Sequence, residues 1–464
     1  MITVLLGALI GLLHGRLVPR LPFVLLVGSA ILALALLAKR PTWCIAAILA
    51  GTMFGTNRSS LPVGSFDLRL TDLPLAILVG RAFLMRVRHG AVPRPNVGQL
   101  QLGLLLAVFA LSLTASIASS ADQLSAPYTS WLRLSFTFSL AWVIPYVIRG
   151  GRNDQLFVLR ALVLLGAGEL LAAIFLQPRA GGRLAGANGP DAEGLIALVV
   201  LIAVLNLALF GPRLRLLFGS IAVLALGLSA SIGSVVALMV VLGIYGFRVT
   251  THRTAWAAAL VRPARIVLVV AGALLFLLTQ RPQDIPTTDG FYNSSSASRL
   301  SVGYAGLQLF VDHPVLGVGW QRSSLGSVIG SDDVVDKVRK QFPGLRPALL
   351  PDGTDTSVHN AYIQILAEAG LAGFAILLLA LAAGRRGIRH VIASAGMNAD
   401  LARTFLVLLV AILIWWNDNP LFGAQPESVL FAIILGLVAS VRPAAVPAES
   451  DPEVSATTRR AHVA

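Results

Sequence analysis

The sequence predicts an all-α fold, a polytopic membrane helical bundle of about 12–14 spans with one long extracytoplasmic loop that contains short helices. Three observations predict it. Only 12% of the 464 residues are charged while 56% are hydrophobic, against roughly a quarter charged in soluble domains. Apolar runs recur along nearly the whole chain, as they must where each segment satisfies its own backbone hydrogen bonds in lipid. Lys and Arg punctuate those runs instead of gathering on one stripe, the pattern of topology signals.

The net charge of +14 would suit a nucleic-acid binder only with a basic patch and a reading module, so no nucleic-acid partner is expected. Cys44 is the only cysteine and sits in an apolar run, which leaves neither a disulfide framework nor a cysteine-based zinc site.

Taken in order, the first run, 1–13, has no basic region before it and no clear cleavage site after it, and is read as a retained first span. Strong runs follow at 21–38, 101–118, 132–148, 155–176, 194–210 and 265–279. Shorter or interrupted runs at 42–55, 73–87, 214–230 and 233–247 can cross if tilted. Together these make 1–279 a membrane helical region. Residues 280–358 form the one long polar stretch, opening with the turn-rich QRPQDIPTTDGFYNSSSAS and continuing with the helical pattern RLSVGYAGLQLFVDHPVLGVGW. Long insertions of this kind are uncommon unless functional or disordered, so function is expected here. C-terminal membrane helices fill 359–441, with spans at 360–383, 402–417 and 426–441, and the Pro-, Ala- and Ser-rich 442–464 reads as a disordered cytoplasmic tail.

Orientation follows from the basic residues. With 14 spans and the last tail inside, 20 of the 36 Lys and Arg fall in cytoplasmic segments and 6 in the short segments opposite. Both termini are then cytoplasmic and the protein is a multi-pass cell-membrane protein. The loop 280–358 lies outside, and its own 7 Lys and Arg do not oppose this, because long loops cross regardless of charge.

The strongest chemical signal is SVHNAYIQILAEAGLAGF, residues 357–374. Asp355, Thr356 and Ser357 are credible N-caps, which puts His359 in the first helical turn. At 100° per residue Gly370 and Gly373 share its face, where small residues let another helix pack closely. Glu368 points to the opposite side and is not its partner. A helix N-terminus favours a neutral imidazole and attracts phosphate oxygens, so His359 can serve as a general base beside a phosphorylated ligand. The bland reading is a capping or surface histidine.

His359-Asn360, nine residues, then Gly370-x-x-Gly373 resembles the signature of the O-antigen ligase and polymerase superfamily. Arg299, standing before the Asp312-His313-Pro314-x-x-Gly317-x-Gly319 stretch, is similar to that family's loop arginine. Arg183 in RLAGANGPDAEG resembles a family Arg-x-x-Gly element, although Gly189 separates the expected Asn-Pro pair. A family Ser-Arg pair is represented by Ser231-Ile232, so the arginine is missing there.

The resemblance implies an extracytoplasmic glycosyltransferase that moves a glycan from a polyprenyl-diphosphate carrier to a lipid or glycan acceptor in cell-surface polysaccharide assembly. The partners implied are that donor, the acceptor and membrane lipids, with no cofactor and no metal. Arg299 would hold the diphosphate, since the guanidinium fork binds phosphate oxygens bidentately, and His359 would take the acceptor's proton. Arg183, Arg133 and Asn360 are the substrate-binding candidates, with Gly370 and Gly373 structural. Arg133 opens a span and can equally snorkel to the interface; Asn360 can instead cap the helix or orient the imidazole.

Other readings compete. Asp352, Asp355 and His359 could hold a hard cation, but PDGTDTS is turn chemistry. His313 reads as a loop side chain. Arg81, Arg160 and Glu169 lie within spans, where charge needs a partner, and Arg160 and Glu169 fall on opposite sides of one helix. A polymerase of the same superfamily shares the donor grip. A lipid-glycan flippase is the alternative of another class, yet transporters show paired broken helices and compact loops, whereas the distinctive residues here lie in one outer loop.

Overall fold

The structure is a computed structural model that describes residues 40–54, 60–63, 66–69, 71–89, 125–148, 151–176, 183–184, 186–245, 295–345, 349–351, 356–393, 399–421 and 426–441. The expected spans at 1–13, 21–38, 101–118 and 265–279, the start of the loop, Asp352, Asp355 and the tail lie outside the described residues.

Helices dominate, as expected. They are α1 (Pro41–Met53), α2 (Asp72–His89), α3 (Ser125–Val147), α4 (Arg152–Leu176), α5 (Pro190–Asn206), α6 (Pro212–Ser229) and α7 (Ile232–Tyr245), then α8 (Ser295–Asp312), α9 (Gly326–Ile329) and α10 (Asp332–Gln341), and finally α11 (Ala361–Ala393), α12 (Ala399–Trp415) and α13 (Pro426–Ser440). Each span expected within the described residues falls on one of these. An antiparallel hairpin, β1 (Ser60–Val63) with β2 (Phe66–Arg69), pairs Ser60 with Arg69 and Val63 with Phe66 between α1 and α2. Among the described residues three helices, α4, α6 and the Ala361–Leu379 part of α11, are long and apolar enough to cross a membrane, and α1, α13 and most of α7 are shorter apolar helices. The protein is a membrane protein.

Proline sets several of these starts. Pro41, Pro190 and Pro212 stand in the first turn of α1, α5 and α6, where a missing N–H costs nothing and the fixed φ suits the helix. That is why α5 begins four residues before the expected run at 194. From Ala192 to Val204 every residue of α5 is buried, and it packs against α4, α6, α7, α12 and α13. A helix apolar on all sides belongs at the centre of a bundle. A Cβ on Gly166 would overlap Val200, and one on Gly194 would overlap Ser231 and Ser234, so small residues set the close approach of α5 to α4 and to the α6–α7 turn.

Two charged groups within α4 find partners. Arg160 donates to the Leu209 carbonyl at 3.1 Å, and Glu169 accepts from the Ala187 amide at 3.1 Å. Arg152 and Asp400 pair through two bonds of 2.9 Å at the ends of α4 and α12.

The described part of the polar loop builds a second, smaller core. Val302, Ala305 and Leu309 of α8 meet Ile329 of α9, Val334 and Val338 of α10, Val358 just before α11 and Ala367 within it. The helical pattern expected after Arg299 is therefore α8, seated along the first turns of α11.

Candidate active site

Asn360, and none of the residues before it among those described, caps α11. Its Oδ1 accepts from the Tyr362 and Ile363 amides, both at 3.0 Å, and α11 starts at Ala361. The expectation that Thr356 or Ser357 caps the helix and that His359 sits in its first turn is thus corrected. His359 lies just before the cap, because an asparagine side chain satisfies the first free amides as well as a serine does. The Asn360 amide group also donates to the Asn417 carbonyl at 2.9 Å and to its Oδ1 at 3.0 Å. This ties the His359 segment to the turn between α12 and α13.

That turn carries Asp418, which the sequence reading did not single out. Asp418 accepts from Arg299, on the second turn of α8, and from the Gly233 amide at the start of α7 at 3.1 Å. The other arm of Arg299 reaches Asp191, in the first turn of α5, at 3.2 Å. Asp191 also binds Arg183 at 2.8 Å, and Arg183 donates to the Ser229 carbonyl at 2.8 Å. Arg183, Asp191, Arg299 and Asp418 thus form one chain of alternating charge across the starts of α5, α7 and α8.

His359 feels all of this. Burial pushes its imidazole below the ordinary range, the Arg299 charge pushes it further down, and Asp191 and Asp418 pull it partly back. Its Nδ1 is buried and makes no hydrogen bond. A neutral ring with an unengaged nitrogen beside a fixed guanidinium can accept a proton next to a bound anion.

The structure brings His359, Arg299, Arg183 and Asn360 to one end of the bundle. Arg133 stands on α3, which packs chiefly against α2 and α13. Arg183 reaches the turn that precedes Ser231, where Ser231 and Ser234 hydroxyls lie 2.9 Å apart. Asp191 and Asp418 were within reach of sequence reasoning. Both are acidic residues in short polar connections flanked by proline, PDAEG and WNDNP, where an unpaired carboxylate at a span end needs a cation.

The glycines do a different job from the one expected. Gly370 interrupts α11 with φ 63° and ψ −165°, and the chain that approaches it is loop backbone, not another helix. A Cβ on Gly370 would overlap Val315 and Leu316, and one on Gly317 (φ 68°) would overlap the backbone at Ala367–Ala369. Residues 314–319 fill the break, with the Leu371 amide donating to the Pro314 carbonyl at 2.8 Å and the Val318 amide to the Ala367 carbonyl at 2.7 Å. Gly373 faces its own helix, against Ala369. The two glycine motifs are therefore two halves of one contact.

Residues 217–378 match the family model for O-Antigen ligase. This stretch carries an O-antigen ligase domain. A search of the curated proteins returns no match. The O-antigen ligase match runs from α6 into α11 and includes Arg299, His359, Asn360, Gly370 and Gly373, whereas Arg183, Asp191 and Asp418 join the cluster from outside it. It supports a membrane enzyme of glycosyl transfer, ligase- or polymerase-like, in polysaccharide assembly.

Proposed function

We propose that the chain is an extracytoplasmic O-antigen ligase-like glycosyltransferase that moves a glycan from a polyprenyl-diphosphate carrier to a hydroxyl of a lipid or glycan acceptor. The observation that carries the reading is the meeting of Arg299, fixed on two sides by Asp191 and Asp418, with the buried, neutral-leaning imidazole of His359. The acceptor oxygen forms a bond to the anomeric carbon of the glycan while that carbon's bond to the diphosphate oxygen breaks. His359 takes the hydroxyl proton, and the diphosphate departs with the bonding pair, its charge stabilised by Arg299. Arg183 and Asn360 serve the same cluster, and Arg133 is a further contact for the lipid carrier.

The organisation that accompanies this reading has a membrane region 1–279, an outer loop 280–358, C-terminal membrane helices 359–441 and a cytoplasmic tail 442–464, with both termini inside. A grip on the diphosphate is common to ligase and polymerase, and the acceptor separates them. The test is transfer by purified protein in proteoliposomes supplied with a polyprenyl-diphosphate glycan and an acceptor. His359→Ala should lower the rate by about 10²–10⁴-fold, and Arg299→Ala should weaken both donor binding and turnover. Full transfer by both variants refutes the assignment.

A further inference from the structure

The outer loop carries an apolar surface that its own core leaves uncovered. Leu300, Leu307 and Val311 recur along one stripe of α8, and the stripe continues onto the 314–319 segment. Val311 is 62% exposed, Val315 66% and Leu316 43%. Tyr304, in the same stripe between Leu300 and Leu307, packs against Phe342, and the opposite face of α8 is satisfied by the packing of Val302, Ala305 and Leu309 on α9 and α10. Asp312, next to Val311, is turned towards α10, where Lys337 binds it at 3.0 Å.

The height of this surface relative to the spans is fixed by backbone bonds. Pro314 and Val315 accept from Leu371 and Ala372, and Val318 and Gly319 donate to Ala367 and Glu368. Val315 and Leu316 therefore sit level with Leu371, inside the Ala361–Leu379 membrane-span candidate. Leu371 is itself 54% exposed, and Leu378 and Leu379 continue that exposed apolar face along α11. From Leu371 to the Arg385–Arg386 pair is 14 residues, about 21 Å of helix, against a hydrocarbon thickness of about 30 Å. With the Arg385–Arg386 pair at the opposite boundary, the level of Leu371 falls several ångströms within the boundary on the loop's side.

We propose that this ridge, Leu307, Val311, Val315 and Leu316, is a membrane-docking surface whose occupant is the acyl-chain and headgroup boundary of the leaflet on the loop's side. The loop then rests on the bilayer by its underside and holds α10, with its charged residues, towards water. Three observations favour lipid as the occupant: continuity with the exposed leucines of a span, the pinned depth, and the turning of Asp312 away from the ridge. An interfacial element of this kind seats about 5–10 Å into the boundary. His313, also exposed, lies at the edge of the ridge, where an imidazole suits the interface.

Single nitroxide labels in proteoliposomes decide this. Cys44 is the only cysteine and is buried, so a Cys44→Ser background accepts one new cysteine at a time: Val315→Cys, Val311→Cys, Leu378→Cys as the lipid reference and Arg339→Cys as the aqueous one. Labels at 315 and 311 should be several-fold more accessible to oxygen, relative to a water-soluble nickel chelate, than the label at 339, and should approach the ratio at 378. A ratio at both positions equal to that at 339 overturns the proposal. The measurement involves no transfer, so its outcome is separate from that of the enzymatic reading.

Discussion

Gly370→Ala should destabilise the protein far more than an ordinary glycine substitution in a helix. At φ 63° and ψ −165° the residue occupies a backbone region populated essentially by glycine alone, and an alanine there costs about 1–3 kcal/mol. The new methyl would also overlap Val315 and Leu316, and because backbone rather than a flexible side chain stands in the way, the 314–319 segment must move. Displacing it forfeits the bonds from Leu371 to Pro314 and from Ala372 to Val315, worth about 1 kcal/mol each. The sum is a loss of about 3–5 kcal/mol. Gly219→Ala is the matched control, since a Cβ there meets open space in the middle of α6, and it should be neutral or gain up to about 1 kcal/mol. Thermal unfolding of both variants in the same detergent reads the difference, with protease cleavage within 314–319 reporting release of the segment. Equal midpoints and unchanged cleavage for Gly370→Ala and Gly219→Ala would refute the reasoning.

Gly317→Ala attacks the same contact from the other side, so the Gly317→Ala, Gly370→Ala double variant should lose clearly less than the sum of the two single losses in the same unfolding measurement. The rate of transfer should fall on the acid side as His359 gains a proton. Because its imidazole is held below the ordinary value of 6.5, that fall should come at a pH under 6.5. Removing the positive charge with Arg299→Gln should move the His359 titration up, and removing a negative one with Asp418→Asn should move it further down, both read by NMR of the labelled imidazole; shifts of the opposite signs would contradict the cluster. Asn360→Ala should cost about 1–2 kcal/mol through loss of the cap. Asn360→Asp should keep the cap and lose the donor to Asn417, so it should retain most of the stability while raising KM or lowering kcat.

The bundle was legible because each span announces itself by its apolar run, and the starts at Pro190 and Pro212 needed only the rule for proline in a first turn. The His359 motif was legible as well, but its geometry was not. Periodicity places His359 on the helix face, yet the cap is decided by whichever side chain reaches the first amides, and Asn360 does so. The anionic half of the cluster was missed for a different reason. Asp191 and Asp418 lie 227 positions apart and are joined through Arg299, a contact that no local pattern encodes. Gly370 misled because small residues in a membrane helix suggest another helix, whereas a positive φ admits a crossing strand of loop.

The filled break in α11 also bears on how this chain can be divided. A loop exchange between relatives would ordinarily be cut at the helix boundary near Ala361, on the view that loops are modules and spans are scaffold. Here residues 314–319 complete the hydrogen bonding of the span around Gly370, so half of a helix is stitched by sequence that belongs to the loop. The smallest portable unit runs through Gly373, and chimaeras joined at Ala361 would separate two pieces of a single structural element.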